Sequence, residues 1–408
     1  MTMLKRVFVS VILPLLTGVA VVAAAPLKVF ILAGQSNMEG YGAVATFPHI
    51  GMDSQLAPML DEMVDRDGNP LVLEEVHITY MSGSGGTRNG KGSDYEPREK
   101  RGPLTAGFAA NHRGPGIGPE YNFGIFMHKH LKEPFLIIKT AWGGRSLNRD
   151  FRPPSTIPAD LKGKDPATIE DDNLRYDRIE TGRFYHLMMD HVKAVLADPG
   201  AFHPAYNERD GVEVAGFVWF QGFNDMVDSK AYPGRNKEGG FDLYTELLAA
   251  FIRDVRSDLN VPDLPFVVGV IGMDGAATPE TEAEKSPRSR GIVPNFRKAQ
   301  AAVGDLREFQ GTVSVVHTDQ FWDYELDAID KKFREINREI ARAKKKDELT
   351  RSELNELREK LTEERLTEEE IKIHRAGRAA QSYHYLGSAK IYGRIGLAFA
   401  GALAQLMN

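Results

Sequence analysis

The sequence predicts an α/β fold: a three-layer α/β/α sandwich around a central parallel sheet, carrying one inserted, charged helical hairpin. Three observations lead there. Short apolar, β-prone runs alternate with helical patterns along most of the chain, which is the βαβ rhythm of a parallel sheet. Several of those runs stop abruptly at Gly-rich polar turns, as strands do at the carboxyl edge of an open α/β sheet. One late stretch breaks the rhythm, with apolar residues at spacings of 3 and 4 among alternating charges. At 408 residues and 42% hydrophobic content, the chain can bury a large core in one large or two ordinary domains.

Met1 to Ala25 has the pattern of a secretory signal: Lys5 and Arg6, the apolar run Val7 to Val22, then Ala23, Ala24 and Ala25. Cleavage is expected after Ala24 or Ala25. An uncleaved anchor is the alternative, because the run approaches the roughly 17 residues that span a bilayer. The small residues before Pro26 favour cleavage, which implies a secreted or periplasmic protein with no stable membrane insertion. With no cysteine, the chain can form neither disulfides nor thiolate sites. Its net charge is -6, and its one basic run is Lys344 to Lys346 inside a mixed-charge segment, so no nucleic acid partner is expected.

The first strand is Lys28 to Ala33, apolar enough for a buried parallel position and too short for a helix. Gly34 ends it and delivers Gln35, Ser36 and Asn37 to the sheet edge. Leu71 to Met81 is a second strand, and Ser82 to Gly118 is a long Gly, Ser, Arg and Asn rich connection. Pro119 and Glu120 open a helix that continues to Leu131, and Pro134 to Lys139 is the next strand. It runs into Thr140-Ala-Trp-Gly-Gly-Arg-Ser146. A helix from Phe184 to Ala197 precedes the strand Val212 to Phe220, which ends in Gln221-Gly-Phe-Asn-Asp225. A helix from Leu243 to Leu259, a strand from Pro265 to Ile271, a helix from Asn295 to Val303 and a strand from Thr312 to Thr318 follow. Gly387 to Leu406 is a closing helix of the kind that packs on a sheet. Five or six strands result.

The departure is at 324–376. Leu326, Ile329, Phe333, Ile336 and Ile340, then Leu354, Leu357 and Leu361, predict a helical hairpin, with Thr350 and Glu353 as a capping box for its second helix. Three roles fit: a solvated arm, a coiled coil making a homo-oligomer, or an active-site lid. The domain plan is therefore a signal at 1–25, a body at 26–323 and 377–408, and the arm between.

Four chain segments offer polar groups to one edge: Ser36, the Gly143–Gly144 pair, Asn224 with Asp225, and His384 just before the final helix. Ester hydrolysis needs a hydroxyl with a histidine in hydrogen-bond reach, and fixed N–H donors facing the carbonyl oxygen that gains charge. The N–H of Ser36, that of Gly143 or Gly144, and the Asn224 amide can supply three. His128 and His130 fall on different faces of one helix, a poor metal pair, and neither a phosphate loop nor a dinucleotide fingerprint occurs. No cofactor and no metal are expected.

Gly34-Gln-Ser-Asn-Met, Trp142-Gly-Gly-Arg-Ser, Trp219-Phe-Gln-Gly-Phe-Asn-Asp and Tyr383-His-Tyr-Leu-Gly together resemble the sialate O-acetylesterase and family 6 carbohydrate acetylesterase branch of the SGNH hydrolases. The resemblance covers residues 28 to 320 and 380 to 408 in order. It implies an SGNH, flavodoxin-like fold and a serine esterase acting on O-acetylated carbohydrates such as xylan or sialic acid. It also implies Ser36 as nucleophile, His384 as base, and Ser36, Gly143 or Gly144, and Asn224 as oxyanion donors. Phe223 stands where the branch has a glutamate, and Gln381 where it has the aspartate three residues before the histidine. Asp319 or Asp323, which follow the last strand, are the replacement candidates, Asp319 preferred; a dyad and an inactive site are the alternatives. Gln35, Arg145, Gln221, Trp142, Glu120 and Arg113 are candidate walls of a sugar site. Competing functions are an esterase for another small ester and a silent glycan-binding protein of the same fold.

Overall fold

The computed structural model describes residues 25–84, 96–110, 114–157, 181–346 and 349–408. The signal-like segment, the middle of the Gly-rich connection and Arg113 lie outside them. Seven strands form the main sheet: β1 (Leu27–Gly34), β2 (Leu73–Ser84), β3 (Glu96–Leu104), β4 (Phe135–Ala141), β5 (Val212–Phe220), β6 (Phe266–Val270) and β7 (Val313–His317). Their order is β3-β2-β4-β1-β5-β6-β7. All neighbours are parallel except β2 and β3.

That antiparallel edge corrects the all-parallel expectation, which treated 82–118 as a connection. The sequence of β3, Glu-Pro-Arg-Glu-Lys-Arg-Gly-Pro-Leu, has no apolar alternation because it lies at a sheet edge. Charged side chains and prolines suit an edge, where they discourage further pairing.

At the centre, β1 is enclosed on both faces, which is why Val29 to Ala33 is uninterruptedly apolar and fully buried. The main helices are α1 (Pro119–Leu131), α2 (Arg183–Ala197), α3 (Asp242–Leu259), α4 (Ile292–Ala301), α5 (Tyr324–Lys346), α6 (Arg351–Arg365), α7 (Glu368–Gly377) and α8 (Ala389–Met407). One face of the sheet meets α1 and α8: Phe30 lies edge-on to Phe123 at 5.6 Å, and Phe220 to Phe399 at 5.2 Å. The other face presents Phe217 and Trp219 to Phe251 of α3, at 6.0 and 4.3 Å, and Tyr185 of α2 joins them. Alternate residues of β5 thus serve opposite layers, as the two-residue period of a strand requires.

From β1 the chain moves outward to β2 and β3, returns to β4 beside β1, and then crosses to β5 on β1's other side. The reversal leaves the carboxyl ends of β4, β1 and β5 adjacent, and such a switch point is where open α/β sheets bind ligands. Gly34 pairs with Ala141 on one side and Phe220 on the other, so three turns leave the sheet at one level.

The arm holds three helices where a hairpin was expected. The Thr350–Glu353 box caps α6, with Glu353 Oε2 accepting the Thr350 N–H at 2.8 Å. An unforeseen twin at Thr367 and Glu370 starts α7. Leu326, Ile329, Ile336, Ile340 and Leu361 are buried within the chain, continuous with the main core. Asp330, buried on α5, receives His374 of α7 and Arg378 beyond it, both at 3.1 Å. The arm is thereby fastened to the segment that leads to His384.

Candidate active site

Ser36 starts a single helical turn, Ser36–Glu39, directly after β1, and is 7% exposed. Gly34 is required for this entry, because a Cβ there would sit 2.1 Å from the Phe220 carbonyl oxygen. Gln35 does not face a substrate. It is buried, and its Oε1 accepts N–H groups from Gly222 at 3.0 Å and Gln221 Nε2 at 3.1 Å, while its Nε2 donates to Asn224 Oδ1 at 3.1 Å. One side chain therefore sets the turn after β5 against the turn after β1.

With its oxygen held by Gln35, Asn224 turns its Nδ2 toward the β4 turn and donates to Gly144 O at 2.9 Å. The amide has a second N–H, which takes no part in that bond. Asp225 braces this frame from below. It is wholly buried and accepts from Leu147 N, Asn148 N, Gln221 Nε2 and Tyr232 Oη, at 2.7 to 2.9 Å. Burial raises its pKa to about 6 despite those donors. Asn224→Ala removes both the amide expected to serve as an oxyanion donor and the bond to Gly144. We expect kcat on an acetate ester to fall by about 10²- to 10³-fold, as for loss of one oxyanion-hole donor, with KM little changed. A steady-state comparison with wild type checks this.

His384 comes from a tight turn, 382–387, held in an unusual shape. Tyr385 and Leu386 have φ of 50° and 58°, a left-handed conformation that costs non-glycine residues about 1–2 kcal/mol each. Three anchors hold it. The Tyr385 hydroxyl meets Thr318 Oγ1 at 2.7 Å and accepts the Gly272 N–H at 2.7 Å, tying the turn to the ends of β7 and β6. Leu386 O accepts from Ala379 and Ala380. Asn37 Nδ2 donates to the Tyr383 carbonyl at 3.2 Å, and Tyr392 Oη joins Asn37 Oδ1 at 3.1 Å. Asn37 follows Ser36 and Tyr383 precedes His384, so this bond draws the hydroxyl's turn and the imidazole's turn together. The His384 ring stacks on Tyr41, with centroids 3.7 Å apart. Both rings line an open cleft of about 380 Å³ with Arg378, Gln381 and Tyr383.

The structure pairs Asp319 with Arg297, at 3.4 Å, rather than with His384. That guanidinium is anchored on the carbonyls of Gly275 and Met273, so a fixed cation claims the carboxylate. Asp323 is likewise taken, by Lys390 at 3.1 Å and by the Leu326 N–H at the start of α5.

Most proposed wall residues also turn inward. Gln221 is wholly buried and donates to Gln35, Arg145 O and Asp225. Trp142 packs between Phe184 and Phe151 in the core. Arg145 lies over the Phe184 ring and 3.6 Å from Asp150. Glu120 is fully buried and pairs with Lys139 at 2.6 Å. Glu39 was missed. It is partly buried at the end of the Ser36 turn and accepts the Gly143 N–H and the Tyr80 hydroxyl; burial lifts its pKa to about 7. Among the described residues, no group of three or more His, Asp or Glu is arranged to hold a metal.

The mostly parallel sheet with helices on both faces and a serine turn at its switch point defines an α/β/α sandwich. Within that fold class the chain is a member of the carbohydrate esterase family of sialic acid-specific acetylesterases, which matches residues 26–310. Solved structures with similarity include a protein from Arabidopsis thaliana, at 17% identity over 72% of this chain and 86% of that one, TM-score 0.37. A carbohydrate acetylesterase from Xanthomonas citri aligns at 16% identity over 72% of this chain and 50% of its own, TM-score 0.37. NanS aligns at 16% identity over 74% and 80%, TM-score 0.33. No curated protein sequence matches significantly. Among the described residues, no helix is long and apolar enough to cross a membrane.

Proposed function

We propose that this protein is a serine esterase that removes O-acetyl groups from a carbohydrate through an acyl-Ser36 intermediate. One observation carries the reading: Gln35, Asn224 and Gly144 lock three adjacent strand ends into one frame, and Asn37 ties that frame to the His384 turn. In the first half-reaction His384 takes the Ser36 proton as Oγ attacks the acetyl carbon, and the carbonyl oxygen gains charge among the Ser36 N–H, a Gly-Gly turn N–H and the Asn224 amide. The sugar oxygen then leaves with the proton from His384. Water, activated by the same imidazole, attacks the acyl-serine and releases acetate.

The cleft beside His384 suits a glycan, since Tyr383 is exposed there and Arg378 and Gln381 provide polar groups for hydroxyls. The reading includes export, supported by the charged, apolar and small-residue order of 1–25. The test is acetate release from acetylated xylan, O-acetylated sialic acid and a chromogenic acetate ester. Release from a glycan is expected. Hydrolysis of the chromogenic ester alone would shift the reading to another small ester, and glycan binding without any hydrolysis would overturn the enzyme.

A further inference from the structure

We infer that Glu39 is a positioning residue for the proposed esterase chemistry: by accepting the Gly143 N–H, its carboxyl holds the Trp142–Gly144 turn against Ser36 and leaves the Gly144 N–H as that turn's oxyanion donor. The inference rests on the esterase reading of this site. Its geometry is independent of that reading.

A Cβ added to Gly143 would lie 3.1 Å from Glu39 Oε2 and 3.7 Å from Ser36 Cβ, so one side of the Gly143 backbone faces both the carboxyl and the serine. Its N–H points to the carboxyl. Gly144 has φ +75° and open space where a Cβ would lie, and its carbonyl is taken by Asn224. The turn is thus gripped on one side by Glu39 and on the other by Asn224, with Gly143 and Gly144 exposed between them.

The carboxyl is itself fixed. Tyr80 of β2 donates to Oε1 at 3.4 Å. Lys139 of β4 donates to the Glu39 carbonyl at 2.8 Å and attracts the carboxylate, and is itself held by Glu120 of α1 and the Phe108 carbonyl. Arg145, after the turn, adds a weaker attraction, and Tyr41 lies beyond the turn, stacked on His384. Burial against these groups raises Glu39 to about 7, so the neutral acid is well populated near neutrality. The neutral acid still offers a carbonyl oxygen to Gly143, which makes Glu39→Gln a close stand-in.

The experiment compares wild type, Glu39→Gln and Glu39→Ala on a chromogenic acetate ester, with Gly143 amide hydrogen exchange measured in parallel. Losing the acceptor lets the turn drift, and a misplacement of about 1 Å costs about 10²-fold. Glu39→Ala should therefore lose about 10²-fold in kcat with KM within threefold, and its Gly143 amide should exchange at least tenfold faster. Glu39→Gln should stay within fivefold of wild type in kcat and keep the amide protected. Glu39→Leu, which fills the space without an acceptor, replaces the alanine variant if that does not fold. Wild-type kcat in the acceptor-less variant, a glutamine variant as slow as it, or unchanged Gly143 exchange would each overturn the inference. If wild type and Ser36→Ala hydrolyse the ester equally, the esterase reading fails, and Gly143 exchange still decides whether Glu39 holds the turn.

Discussion

Ser36→Ala and His384→Ala are each expected to lower kcat for an acetate ester by about 10⁴- to 10⁶-fold, and the double variant should lose no more than either alone. In the proposed mechanism, hydroxyl and imidazole act in one event. Without the imidazole, the Ser36 proton has nowhere to go as Oγ attacks; without the hydroxyl, the imidazole has nothing to activate. What survives is the frame, because Gln35 bonds to Asn224, Asn224 to Gly144, and Gln221 to both Gln35 and Asp225, without either side chain. Residual turnover in all three variants should therefore be similar. Rapid quenching of wild type with substrate should trap an acetyl group on the peptide carrying Ser36, and Ser36→Ala should trap none. Losses that multiply in the double variant, or an acetyl adduct at another residue, would break the proposed pairing.

The sequence was most informative where burial leaves no choice. A central parallel strand is covered on both faces, so β1 had to be an apolar run, and the residue where that run fails, Gly34, had to be the sheet edge. Edge strands carry no such constraint, and β3 could not be recognised among its charges and prolines. The site divides in the same way. Position after a strand was legible, which located Ser36, Gly143, Gly144 and Asn224 at one rim; the direction of a side chain was not. Gln35 and Gln221 thus read as sugar contacts, whereas both turn inward to make the frame. Asp319 stands where a supporting acid could, but Arg297, from the helix before β7, claims it. One available signal went unused. Lys139 interrupts the apolar run Phe135 to Ile138, and a lysine in a strand buried on both faces requires a buried partner.

That lysine supports the largest stability prediction. Lys139 is wholly buried, and its ammonium donates to Glu120 Oε2 at 2.6 Å, Phe108 O at 2.7 Å and Glu39 O at 2.8 Å, with the Tyr80 ring 4.6 Å away. All three protons have acceptors, so the group is satisfied where it stands. Lys139→Met keeps most of the volume but leaves Glu120 unpaired in the interior and two carbonyls without a donor. Removing one partner of a buried pair costs about 3–5 kcal/mol, and urea unfolding at pH 7.5 should show a loss of that size. The sign of its pH dependence follows from the carboxyls. Burial raises the folded pKa of Glu39 from 4.5 to about 7, and that of Glu120 is also raised. Each group's contribution is full below its unfolded value and is lost as pH rises through its folded value. Without the ammonium both carboxyls resist ionisation further, so the destabilisation should be smallest near pH 5 and grow toward pH 8. Lys139→Met with Glu120→Gln removes the stranded charge along with its partner and should recover much of the loss at pH 8 and little at pH 5. A loss independent of pH would mean that Lys139 stabilises the sheet by packing its methylenes, with its charge contributing little.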